Sequence, residues 1–131
     1  MVTLMIDTCL LIDYQREVKS KHPGAVASFL GAHRNARLQV SPIAWGEFLA
    51  GFESVDHPYV KFAEDRLDQV ALPVEAASVY QRIYRYLKMN GNLIGANDLW
   101  IACHAMASGL ALVSRNESDF KRVPGLSLIT Y

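Results

Sequence analysis

The sequence has little cysteine, no long apolar run and no excess of either charge. Its only two cysteines, Cys9 and Cys103, lack metal-ligand spacing, so we expect two reduced thiols in a cytoplasmic protein. No stretch approaches the ~18 apolar residues of a membrane span, and no signal-peptide pattern begins the chain. Thirteen acidic residues balance thirteen basic ones, which argues against nucleic-acid binding by bulk attraction alone. We therefore expect one domain, 1–131, that does not contact a membrane.

Short apolar runs alternate with segments of helical periodicity along the chain. The strand candidates are residues 2–6, 37–40, 70–73, 110–113 and 126–129. The helix candidates are residues 9–16, 23–33, 41–52, 58–69, 75–91 and 97–107. Such alternation requires parallel crossovers, and it predicts an α/β domain with a mainly parallel sheet of four to five strands between two layers of helices. Ligands of such sheets bind outside the carboxyl ends of the strands.

Two aspartates stand where the chain enters a helix. Asp7 follows the first strand directly and should lie at the carboxyl edge of the sheet, although it could equally be an N-cap. Asp98 lies at the start of helix 97–107, where the helix dipole stabilises an anion by up to about 1 kcal/mol. Asn97 could supply the N-cap and leave Asp98 free to face a ligand. A purely local role stays open for both aspartates.

Glu47 lies in a helix but away from that helix's stripe of large apolar residues. Its neighbours one turn away are Ile43, Ala44, Ala50 and Gly51. These small or apolar neighbours leave room for a group to approach the carboxylate, whereas a solvated glutamate usually shares its face with polar residues. The alternative is an ordinary exposed glutamate.

The loop 114–120 follows the fourth strand candidate and can reach the same edge as Asp7. It offers Ser114, Asn116, Glu117 and Asp119. The alternative is a polar turn in which Asp119 caps a short helix.

A cluster of Asp7, Glu47 and Asp98 would need a neutralising charge. Carboxylates ~5 Å apart repel by roughly 3 kcal/mol per pair at an effective dielectric near 20. No lysine or arginine follows any of the three by three or four residues. Mg²⁺ prefers one or two carboxylates together with waters and phosphate oxygens. The pattern therefore favours metal-assisted phosphodiester hydrolysis.

Four segments of the chain resemble, in order, the successive blocks of VapC-type PIN-domain ribonucleases, which are toxins of type II toxin–antitoxin operons. The segments are LMIDTCLLIDY (4–14), SPIAWGEFLAGF (41–52), IGANDLWIACHAMASGLALVSRN (94–116) and DFKRVPGLSLITY (119–131). The resemblance implies a PIN-like three-layer fold and a Mg²⁺- or Mn²⁺-dependent endoribonuclease. It makes Asp7 and Asp98 metal ligands, and Glu47 a group that binds the metal through water or positions the nucleophile.

The chain departs from the family pattern at two positions. Asn116 stands where the family often has Asp, so the last acidic contribution comes from Asp119 or is weaker. Cys9 stands where the family usually has Asn, and a thiol cannot supply an amide's hydrogen bonds. Ser114 and Thr8 match hydroxyl positions that support the site.

The family resemblance also implies partners: an RNA substrate, a small antitoxin protein that blocks the site, and a second copy in a homodimer. Arg115 is the favoured cation for RNA phosphates because it follows a strand end that should border the site. Asn116 and Cys9 motivate an alternative, a catalytically weak PIN-fold module that binds RNA or protein. A receiver-like phosphotransfer domain is disfavoured, because no middle strand ends in an aspartate with a nearby lysine.

Overall fold

A parallel sheet of five strands, in the order β3-β2-β1-β4-β5, organises the protein, and the computed structural model describes all residues 1–131. The strands are β1 (Thr3–Ile6), β2 (Arg37–Val40), β3 (Asp68–Gln69), β4 (Ala111–Val113) and β5 (Leu128–Ile129). The helices are α1 (Thr8–Ser20), α2 (Ala25–Ala32), α3 (Pro42–Leu49), α4 (Pro58–Glu64), α5 (Ala76–Met89), α6 (Ala96–Ala107) and α7 (Glu117–Phe120). The predicted three-layer α/β/α domain is confirmed.

Strand β1 occupies the centre of the sheet because it is apolar on both faces. Met5 and Ile6 are completely buried, as expected for a strand covered by helices above and below. Leu4 pairs with Leu38 of β2 on one side and with Ala111 of β4 on the other. This register brings the carboxyl ends of β1, β2 and β4 to one edge of the sheet.

Local signals in the sequence set several helix ends. The Ser41 hydroxyl accepts a hydrogen bond from the Ile43 N–H and caps α3, and Pro42 takes the first helical position. Gly91 and Gly109 follow α5 and α6 with φ of +66° and +67°, a conformation that favours glycine over other residues. No helix in the fold combines the length and apolar character that a bilayer crossing requires.

The prediction of a strand at residues 70–73 is wrong, and helix 58–69 is shorter than predicted. Helix α4 ends at Glu64, and the third strand is Asp68–Gln69, which pairs with Gln39 and Val40 of β2. Pro73 has no N–H to donate to a ladder, and the pairing surface offered by β2 decides where the strand forms. Tertiary pairing therefore overrides the local apolar run.

Candidate active site

The carboxyl edge of the sheet carries an open cavity of about 520 Å³ that brings together residues distant in sequence. Its lining consists of Asp7, Thr8, Cys9, Ile12, Glu47, Asp98, Arg115 and Asn116. Asp7 follows β1 and Arg115 follows β4, while α3 and α6 present Glu47 and Asp98. Of the predicted site residues, only Ser114 and Asp119 do not line the cavity, and both are hydrogen-bonded to residues that do.

Asp7 is buried and firmly oriented at the base of the cavity. Its Oδ1 accepts from the Thr8 N–H at 2.8 Å, so it caps α1. Its Oδ2 accepts from the Ser114 hydroxyl at 2.7 Å and from the Cys9 thiol at 3.4 Å. Burial raises the pKa of Asp7 more than these three hydrogen bonds lower it, and the Glu47 charge adds to the rise. The same carboxylate thus caps α1 and lines the cavity.

Glu47 is exposed to the cavity, and both of its carboxylate oxygens have partners. Oε1 accepts from the Thr8 hydroxyl at 2.7 Å, and Oε2 accepts from Nδ2 of Asn97 at 3.3 Å. The sequence left Asn97 open as an N-cap, but Gly95 holds that position, because α6 begins at Ala96, one residue earlier than predicted. The Asn97 amide is therefore free to reach across to α3 and orient Glu47.

Asp98 is half-buried in the first turn of α6. Burial raises its pKa from 3.8 to about 6, and the negative charges of Asp7, Glu47 and Asp119 contribute to the rise. Nδ2 of Asn116 lies 3.2 Å from Oδ2 of Asp119 and 3.5 Å from Oδ2 of Asp98. The neutral amide of Asn116 thus lies between two carboxylates, where an aspartate would add a further like charge.

A second set of contacts joins the site to α1 and to Tyr131, two residues beyond β5. The Cys9 sulfur lies 3.4 Å from the Arg115 N–H and 3.5 Å from the Tyr131 hydroxyl. The Tyr131 hydroxyl donates to Oδ2 of Asp13 at 2.8 Å, and Nε of Arg115 pairs with the same oxygen at 3.1 Å. Sequence reasoning missed Asp13 and Tyr131. The four-residue spacing of Cys9 and Asp13 on α1 is the one signal that could have indicated Asp13.

The donor atoms of the cavity fit a hard divalent cation bound in an open site. No three carboxylate, imidazole or thiol groups stand close enough to form a complete metal cage. Mg²⁺ commonly uses only one or two carboxylates and keeps several waters, so an open arrangement of Asp7 and Asp98 suits it. The like charges that raise the pKa of Asp98 are also the charges that a cation would neutralise.

Comparison with known proteins gives one consistent family. A family model described as "PIN domain" matches residues 4–126. The chain is 33% identical to Ribonuclease VapC2 of Haemophilus influenzae over 96% of both chains. It is 27% identical to Ribonuclease VapC1 of Rickettsia felis, with 97% of this chain and 95% of that one covered.

Solved structures of toxin–antitoxin complexes have the same fold. VapBC2 from Rickettsia felis, bound to a DNA fragment from their promoter, matches with a TM-score of 0.83 and 26% identity over 99% of this chain and 98% of that one. DNA-bound VapBC from Salmonella typhimurium matches with a TM-score of 0.78 and 27% identity over the same shares of the two chains.

Proposed function

The chain belongs to the PIN-domain family, and we propose that it is a VapC-type endoribonuclease toxin that hydrolyses RNA phosphodiester bonds with Mg²⁺ or Mn²⁺. One observation carries the proposal: Asp7, Glu47 and Asp98, from three separate elements, line a single open cavity at the carboxyl edge of the sheet. The relatives named as VapC ribonucleases support the same activity.

Asp7 and Asp98 are the residues that would hold the metal. A bound Mg²⁺ or Mn²⁺ supplies Lewis acidity for the attack of water on a phosphodiester. Asp7 has little freedom to move because Thr8, Ser114 and Cys9 all donate to it. This fixed carboxylate gives the site one rigid ligand, as metal sites with hydrogen-bonded supporting residues generally require.

In this proposal Glu47 positions the attacking water. Thr8 and Asn97 each hold one of its oxygens, and the carboxylate remains exposed to the cavity. A carboxylate oriented in this way can accept a hydrogen bond from water and take up its proton as the phosphate is attacked.

Arg115 supplies the cation that meets the RNA backbone. Its side chain is 59% exposed at the mouth of the cavity, beside the acidic residues. A guanidinium binds phosphate oxygens with geometry that lysine cannot match. The RNA backbone can therefore bind the Arg115 guanidinium even though the other charged residues of the cavity are acidic.

The deciding experiment is cleavage of a structured RNA by the purified protein in Mg²⁺ or Mn²⁺. Asp98→Ala should lower the rate at least about a hundredfold, because it removes a ligand of an ion that contributes several kcal/mol to the transition state. Asp65→Asn, an exposed carboxylate at the end of α4, is the matched control and should cleave normally. No cleavage by the wild type, with RNA binding retained, would favour the binding-module alternative. Equal cleavage by Asp98→Ala would refute the assignment.

An apolar groove supplies a docking site for the antitoxin. It encloses about 260 Å³ between α1, α2, β2 and α4. Its lining includes Leu10, Tyr14, Leu30, Leu38 and Leu67, with Arg34 and Arg66 also present. An amphipathic helix of the antitoxin fits such a groove, with apolar side chains inside and acidic ones near the arginines. Leu30→Glu should abolish rescue of growth by the cognate antitoxin while leaving RNA cleavage intact.

Expression without antitoxin tests the toxin role directly. The wild type should slow growth, and Asp7→Asn should relieve this at equal protein level. Normal growth with abundant folded wild-type protein would contradict a toxin.

A homodimer is the proposed quaternary state. Exposed Tyr86 and Met89 share one face of α5, and exposed Leu93 follows the helix. Met89→Glu should convert a dimer to a monomer in size-exclusion chromatography.

A further inference from the structure

Asp13 connects the cavity to residues that the proposed chemistry does not use. Its side chain is only 16% exposed and has three partners, one hydroxyl and two guanidinium groups. Its Oδ2 accepts from the Tyr131 hydroxyl at 2.8 Å and pairs with Nε of Arg115 at 3.1 Å. Its Oδ1 lies 3.8 Å from Nη1 of Arg16, whose side chain is 73% exposed. This largely buried carboxylate therefore joins the mouth of the cavity to Tyr131, two residues beyond β5.

The pairing with Asp13 determines where the Arg115 guanidinium can go. Arg115 lines the same cavity as Asp7, Glu47 and Asp98, yet it forms no ion pair with any of them within 4.0 Å. Its only ion pair is with Asp13, where Nε lies 3.1 Å from Oδ2. A free guanidinium beside three carboxylates would be drawn onto them, since opposite charges attract strongly at partly buried sites. In that position it would compete with a cation for the same oxygens.

Tyr131 fixes the position of the Asp13 carboxylate. Burial raises the pKa of Tyr131 well above its ordinary value, and Cys9 and Asp13 add to the rise, so the hydroxyl stays protonated as a donor. The Cys9 sulfur lies 3.5 Å from that hydroxyl and 3.4 Å from the Arg115 N–H. Side chain and backbone of Arg115 are thus held by neighbouring groups on α1.

We propose that Asp13 is a positioning residue that keeps Arg115 directed toward RNA phosphate and off the metal-binding carboxylates, with Tyr131 holding Asp13 in place. This inference rests on the proposed function. If it holds, a substitution of Asp13 changes two measurable quantities, the affinity for the metal and the KM for RNA, and both changes act through Arg115.

Calorimetric titration of Mn²⁺ into the metal-free protein tests the first quantity. Asp13→Asn should weaken Mn²⁺ binding by about three- to tenfold, because the released guanidinium occupies carboxylate oxygens. Adding Arg115→Gln to Asp13→Asn should restore wild-type affinity, since the competing charge is gone. Arg16→Gln, which alters only the exposed side of Asp13, is the matched control and should bind like the wild type.

Steady-state cleavage of a short RNA tests the second quantity. Asp13→Asn should raise KM about fivefold and change kcat less than twofold, because Arg115 contacts substrate rather than the reacting groups. In the Arg115→Gln background the same substitution should have no further effect on KM. Should Asp13→Asn fold poorly, Tyr131→Phe removes the hydroxyl alone and should shift both quantities in the same direction.

Two results distinguish a failure of the proposed function from a failure of the positioning role of Asp13. If the wild type neither binds Mn²⁺ nor cleaves RNA, the proposed function falls and this inference with it. If the wild type does both and Asp13→Asn matches it, or if Asp13→Asn weakens Mn²⁺ binding equally with and without Arg115, only the positioning role is refuted.

Discussion

Replacing Asp98 by asparagine should stabilise the metal-free protein at neutral pH while removing the proposed ribonuclease activity. Asparagine keeps the shape of the side chain but cannot ionise. In the wild type, ionised Asp98 is partly desolvated and faces the charges of Asp7, Glu47 and Asp119, which together raise its pKa from 3.8 to about 6. The unfolded chain ionises this group without that opposition, so ionisation favours unfolding.

The magnitude follows from the pKa shift. A rise from 3.8 to about 6 corresponds to about 3 kcal/mol if the whole shift is converted. Because Asp98 is only half-buried and solvent screens its neighbours, we expect about 1 to 2 kcal/mol. A carboxylate whose folded pKa is raised lowers stability above that pKa, and the penalty disappears as the pH falls toward 3.8. The gain from Asp98→Asn should therefore be full above pH ~7, smaller at pH ~4.5 and absent near pH ~3.5.

Urea unfolding in the presence of a chelator measures this difference. Wild type and Asp98→Asn are compared at pH ~7.5 and pH ~4.5, with equal m-values as the check that both unfold in the same way. Asp65→Asn, outside the cavity, controls for a general change in net charge. A variant that is less stable than the wild type at pH ~7.5, or a gain that does not shrink at the lower pH, would refute the electrostatic reasoning.

Three further outcomes are expected. Saturating Mn²⁺, at about a hundred times its Kd, should raise the Tm of the wild type by about 8 to 10 °C and leave Asp7→Asn unchanged, as differential scanning fluorimetry can show. Ser114→Ala removes the 2.7 Å hydrogen bond to buried Asp7, so it should lower the free energy of unfolding by about 1 to 3 kcal/mol and weaken Mn²⁺ binding about tenfold; unchanged urea midpoints would contradict this. Burial tends to raise the pKa of Glu17, but N–H donors of Gly24, Val26 and Ala27 outweigh it and lower the pKa, so Glu17→Gln should reduce stability by about 1 kcal/mol at neutral pH. That loss of stability should vanish as the pH falls below 4.5 and the wild-type carboxylate protonates. A difference that does not depend on pH would argue against a charged Glu17 as the acceptor of these N–H groups.

The fold, and the position of the carboxylates at one edge of the sheet, could be predicted from the sequence because both depend on strand direction. Once β1 and β4 are parallel neighbours, Asp7 and the residues from Ser114 onward must emerge at one edge. Glu47 was indicated by its small and apolar neighbours on α3, and the structure places it at the same cavity. Topology and periodicity were sufficient for these positions, while their catalytic and metal-binding roles stay predictions.

Contacts between side chains distant in sequence were beyond such reasoning. Asn97 looked like a helix cap, but α6 begins one residue earlier, and its amide reaches Glu47, fifty residues away. Asp13 and Tyr131 meet across 118 residues, and only the four-residue spacing of Cys9 and Asp13 on α1 could have indicated Asp13. The predicted position of the third strand was wrong for a similar reason. Hydrogen bonding to β2 forms at Asp68–Gln69 and not at the more apolar segment that follows.

The missed contacts explain how the acidic cavity is held together without basic partners for its carboxylates. Each of the three carboxylates has at least one amide, hydroxyl or thiol donor, and none has an arginine or lysine as a partner. Neutral donors orient an anion without cancelling its charge, so the negative potential stays in the cavity. The one cation that lines the cavity, Arg115, is paired instead with Asp13. Burial and the repulsion among the carboxylates make Asp98 difficult to ionise, and a divalent cation bound there, as proposed, would relieve that repulsion.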